Sequence, residues 1–176
     1  VGMAVLDEMA ASDNETLAQA AKAVRDIALK GVEIKRKDGE RIRNQLQRLG
    51  RGQRAFELGL RELQYSGEYV APYALGILAS EADSDLHDDV MLALEKIGRP
   101  VVYPLTLALN TQDEQLLGRV ITLLERLGYK MAVPKLKALV EGPDTSDRIK
   151  TAASDAIVSI AGREALNTSA RRLLYE

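Results

Sequence analysis

Three prolines mark an internal period, and that period constrains this chain more than any other feature. Pro72, Pro104 and Pro134 lie 32 and 30 residues apart. Each is followed by a short apolar stretch: Leu75 and Leu78, Leu105 to Leu109, then Leu136 and Leu139. Polar breaks come next, at 81–85, 110–113 and 142–147. Each break leads into a longer segment with apolar residues in one fixed register. These are Leu86, Val90, Ala93, Leu94 and Ile97; then Leu116, Val120, Leu123, Leu124 and Leu127; then Ile149, Ala153, Ala156, Ile157 and Ile160. Steps of four, three, one and three residues place all five on one helix face, whereas a strand needs alternation. A single helical hairpin cannot bury such a face by itself. Neighbouring hairpins stacked on one another can, so the period predicts an all-α solenoid of about five antiparallel helix pairs.

Composition agrees with helix-on-helix packing. Apolar residues make up 46% of the 176, yet aromatics only 4%, with no Trp. Leu and Ala dominate instead, and both favour helices that approach closely. Gly98 and Gly128 follow their helices where a left-handed C-terminal residue is wanted, and Ala161 followed by Gly162 takes that place in the third repeat. Thr111 to Glu114 and Ser12 to Glu15 each fit a capping box. The repeat prolines are expected in the first turn of their helices, where a missing N–H costs little. The N-terminal part is more degenerate. Residues 1–11 and 14–30 read as a helical hairpin that stops at Gly31, 35–39 as a loop, and 40–49 and 53–65 as a further pair. The division is therefore 1–65, with two degenerate repeats and a basic segment at 30–54, and 66–176, with the regular repeats and an extra C-terminal helix from Arg163 to Tyr175.

The stretch from Gly128 through Pro134 to Leu139 resembles the first helix of a HEAT-like repeat, of the short type found in phycobilisome-lyase proteins. Ile149-Lys150 is similar to the Val-Arg pair of that repeat's second helix, and Val90 to Gly98 to its ending. The resemblance covers about residues 66 to 162. It implies a right-handed superhelix that serves as a scaffold or adaptor, with second helices lining the concave side. His87 and Leu117 stand where the family's basic residue is expected, so the family's ladder between repeats is not carried by those positions.

Signatures of catalysis are few. The run Gly50-Arg-Gly52-Gln-Arg-Ala55 matches a dinucleotide fingerprint only on paper, because the strand that must precede it is replaced by a charged helical pattern. Asp83 to Asp89 alternates possible calcium ligands, but Asp88 and Leu94 stand where a calcium loop needs Gly and Glu. His87 is the sole histidine and reads as a surface residue at a helix start. There is no cysteine. The expectation is a non-enzyme without cofactor or metal. No targeting signal and no membrane-spanning apolar run is present, and the composition is that of a soluble, globular chain. It opens and closes on helical patterns, as a piece of a longer protein would.

Two binding surfaces remain. Beside the apolar stripe of each second helix lie His87, Met91 and Glu95, then Leu117, Ile121 and Glu125, then Lys150, Ser154 and Val158. On a concave face these would present an apolar spot of Met91, Leu117 and Ile121 between acidic flanks, and such patches mark partner sites. The competing reading is that these helices simply have wide apolar faces. The second surface is the basic segment 30–54, with nine basic residues against three acidic in a chain of net charge −2. Lys35, Arg36, Lys37, Arg41 and Arg43 would bind nucleic acid or an anionic surface. The functional expectation is a protein-binding scaffold, with anion binding as the alternative.

Overall fold

The computed structural model describes residues 2–167, and among them every regular element is a helix. The chain divides between Asp38 and Gly39 into two compact units. The expected C-terminal helix at 163–175 lies mostly outside the described residues, which contain only its first turn, α11, in the second unit.

The first unit holds α1 (Met3–Ala10) and α2 (Glu15–Lys37). Asn14 caps α2, its side chain accepting from the Leu17 N–H at 3.2 Å. The cap therefore sits two residues later than Ser12, whose hydroxyl accepts from the Asn14 N–H. Two expectations fail together here. Gly31 does not stop the helix, and Lys35 to Lys37 are its last turn rather than a loop. The flanking residues favour helix strongly enough to carry one glycine. The Glu33–Lys37 pair bridges the last turn, and three basic side chains sit where the helix dipole favours them. α1 packs against α2, burying Leu6, Ala18 and Ala21.

Among the described residues the second unit contains four helix pairs. They are α3 (Gly39–Leu49) with α4 (Gln53–Ser66), α5 (Ala71–Ala79) with α6 (His87–Ile97), α7 (Arg99–Ala108) with α8 (Glu114–Leu127), and α9 (Val133–Glu141) with α10 (Asp147–Ala161); α11 (Glu164–Asn167) follows. The second helices also touch in sequence, α4 with α6, α6 with α8, and α8 with α10. The expected division after residue 65 falls inside the last turn of α4. One core runs through all four pairs. Leu46, Leu63, Leu78, Leu94, Leu105, Leu124, Leu136 and Ile157, one from each of α3 to α10, are all fully buried.

The repeat register appears in this burial. Val90, Ala93 and Leu94, with their counterparts in α8 and α10, are buried, while Leu86, Ile97, Leu127 and Ile160 at the stripe ends are half-buried. Gly67, Gly98, Gly128 and Gly162 end the second helices with positive φ, so Gly162 and not Ala161 makes the third stop. Pro72 and Pro134 fall in first turns as expected, each after a short 3-10 turn. Pro104 does not: α7 absorbs the preceding turn, Pro100 takes the first-turn position, and Pro104 lies inside the helix. The cap of α8 is Asp113, which accepts from Gln115 and Leu116 N–H groups at 2.9 and 3.1 Å, rather than Thr111.

Candidate functional site

The apolar spot expected on the second helices is not at the surface. Met91 is 9% exposed, Leu117 6% and Ile121 1%, and all three belong to the continuous core. The cause is the setting of α8, which touches α5, α6, α7 and α10 and is therefore covered over far more than one stripe. Wide apolar faces, not an exposed patch, account for these residues. Glu95, Glu125, Lys150 and Ser154 are half-buried, and the Ser154 hydroxyl donates within its own helix to the Lys150 carbonyl at 2.8 Å.

His87 is also buried rather than on the surface. Its Nε2 lies 3.0 Å from both the Ile77 and the Ser80 carbonyl oxygens. Carbonyls only accept, so Nε2 carries the proton and donates to both. Arg119 completes this arrangement from α8. It donates to the Leu78 carbonyl at 2.6 Å and reaches Glu81 at 3.3 Å. The Ile77 and Ser80 carbonyls also accept from the Ser80 and Asp83 N–H groups, so His87 adds a second bond to each, and Arg119 reaches the Leu78 carbonyl in the last turn of α5. Arg119 thus ties one pair to the next, a role the family resemblance assigned to other positions.

Beside Arg119 a hollow of about 530 Å³ opens between α8 and α10. Met91, Ile149 and Ala152 give it apolar walls, and Gln115, Gly118, Arg119, Thr122, Arg126 and Arg148 the rest. Three lining residues are arginines and none is acidic. Arg126 and Arg148 are exposed and have no ion-pair partner among the described residues. Gly118 stands in the interior of α8, where glycine costs about 0.5–1 kcal/mol against alanine. A Cβ there would meet nothing within 4 Å, so packing does not demand the glycine. It lines the hollow without adding a side chain to it. Of the residues expected to bind a partner, only Met91 lines this hollow. Of the others, His87, Leu117 and Ile121 are buried, and Glu95, Glu125, Lys150 and Ser154 are half-buried outside its lining.

The basic segment is largely engaged within the protein. Arg41 pairs with Glu62 at 2.8 Å, donates to the Ser66 hydroxyl, and lies 5.7 Å from the Tyr65 ring centre. Arg43 lies over the Tyr73 ring at 5.2 Å. Lys37 hydrogen-bonds to Glu33, which with its charge holds the Glu33 carboxyl below its ordinary range. Lys35 is exposed and Arg36 half-buried on the same last turn.

Among the described residues no His, Cys, Asp and Glu cluster is arranged for a metal ion, Asp83 to Asp89 included. No described helix is long and apolar enough to cross a membrane. No protein-family model, no curated protein and no solved structure matches this chain.

Proposed function

We propose that this chain is a non-catalytic protein-binding module, an α-solenoid whose second helices present the hollow between α8 and α10 to an acidic segment of a partner protein. The solenoid reading rests on the chained contacts of α4, α6, α8 and α10 and on the repeated glycine stops. The observation that carries the binding reading is the lining itself: two exposed guanidinium groups, Arg126 and Arg148, beside the engaged Arg119, with no acidic lining residue, apolar walls and a glycine where a Cβ would have room. Guanidinium forks suit carboxylates in two-point contacts, and the walls suit the stem of a Glu or the apolar side of a helix. The basic segment is the weaker anion site, because Arg41 and Arg43 already contact Glu62 and Tyr73.

Fluorescence anisotropy tests this with acidic amphipathic peptides and copies carrying Gln for every Glu. The acidic set should bind at least about tenfold tighter, as expected for charge-assisted hydrogen bonds of about 1.5–3 kcal/mol. The double variant Arg126→Ala/Arg148→Ala should abolish that preference and keep its helical circular dichroism, because both side chains are exposed. Equal binding of the two sets would sink the proposal. Binding of an oligonucleotide that weakens steeply with salt and ignores the double variant would move the site to the basic segment.

A further inference from the structure

The α1–α2 hairpin adds only Leu6, Ala18 and Ala21 to the buried apolar residues of the described protein. Yet α2 carries a second apolar row beside the face that packs on α1. Leu17, Ala20, Val24, Ile27, Gly31 and Ile34 follow one another in alternating steps of three and four, the a/d seam of a coiled coil. All six are exposed, and the large ones widely: Leu17 41%, Val24 51%, Ile27 71% and Ile34 72%. A row of about 27 Å is long enough for two facing helices to interlock along it.

The row is also its own complement when reversed. Turned about a two-fold axis between Arg25 and Asp26, Leu17 faces Ile34, Ala20 faces Gly31, and Val24 faces Ile27. Each layer then pairs an a position with a d position, as antiparallel coiled coils do, and each small residue meets a small one. The basic residues that flank the seam near its end, Lys35 and Lys37, then lie level with the uncharged Thr16 and Asn14 of the other copy. A parallel pair would instead set Gly31 on Gly31 and the basic ends on each other. The helix dipoles favour the antiparallel arrangement too.

We propose that α2 is a self-association element, and that two copies of this chain pair through it in antiparallel fashion. Such an interface is isologous, one patch meeting itself, and therefore closes at a dimer. The element belongs to the first unit, and the inference does not depend on the reading of the hollow.

Sedimentation equilibrium of the whole chain across micromolar concentrations should show a monomer–dimer equilibrium. Ile27→Glu, at the centre of the row and 71% exposed, should shift the dissociation constant by more than about tenfold while circular dichroism is unchanged. Orientation is read by cysteine pairing, which the absence of native cysteine makes clean. The double variant Leu17→Cys/Ile34→Cys should form disulfide-linked dimers on mild oxidation, since the two positions are about 25 Å apart on one helix and cannot close on themselves. Each single variant should cross-link poorly. A monomer at every concentration overturns the proposal, as does a dimer that Ile27→Glu leaves intact. Efficient cross-linking of the single variants overturns the antiparallel register. Wild-type monomer that binds anionic phospholipid vesicles, and loses them with Ile27→Glu, would assign the row to a membrane surface instead.

Discussion

Lys137 shows how much a single buried side chain can be asked to hold. It is 4% exposed, and its ammonium donates to the Ala165 and Leu166 carbonyls at 2.8 and 2.7 Å. It thereby ties α9 to the turn that follows α10. No carboxylate shares the site among the contacts described, so two neutral acceptors must offset the burial of a full charge. Lys137→Met keeps the apolar stem and removes the donor. We expect a loss of about 1–3 kcal/mol in chemical denaturation, because two carbonyls lose their partner. A change below about 0.5 kcal/mol, the ordinary range for surface substitutions, would show that these bonds carry no net stability. Nothing in the sequence distinguishes Lys137 from the exposed Lys135 two residues earlier. The same limit explains His87. Acidic neighbours give it the look of a solvated helix start, and only the position of the α5 carbonyls reveals its burial.

At the scale of elements, period was legible and boundaries were not. The five-residue stripe located α6, α8 and α10, because burial against neighbours enforces the same register three times. Helix ends depend on finer competition. Ser12 and Thr111 lost their capping roles to Asn14 and Asp113, whose side chains reach the free N–H groups from one residue before the helix. Gly31 looked like a stop but is helical, whereas Gly118 drew no notice and lines the hollow. The expected apolar spot of Met91, Leu117 and Ile121 is buried for a related reason. The stripe gave the helix face that is buried, but α8 meets four neighbours, and the free surface begins farther round than one adjacent row. Gly118 makes this testable. Gly118→Ala should raise stability by about 0.5–1 kcal/mol, the helix propensity gain with no clash to offset it. Gly118→Leu should fill the hollow and cut acidic-peptide binding with little change in thermal unfolding. Destabilisation by alanine would mean that the glycine serves backbone packing and not the opening.

The whole molecule divides its tasks between two units of unequal core. Every residue of the continuous core lies at Ile42 or beyond, so Gly39–Glu176 contains the apolar burial on which cooperative folding depends. The first unit has three buried apolar residues and a long helix, too little to hold a hairpin firmly by itself. Charge is not divided in this way, because the basic segment 30–54 runs across the boundary between the units. A fragment comprising Gly39–Glu176 should therefore unfold in one transition, with a melting temperature within a few degrees of the whole chain, about the shift expected from less than 1 kcal/mol. It should also remain monomeric and bind acidic peptides as the whole chain does. The complementary fragment Val1–Asp38 should gain helix content as its concentration rises, since only pairing covers its exposed row. If the large fragment melts far lower or loses peptide binding, the two units are one cooperative structure and α2 is needed for the fold itself. If it stays intact but dimerises, self-association belongs to the repeats, and the seam on α2 has another use.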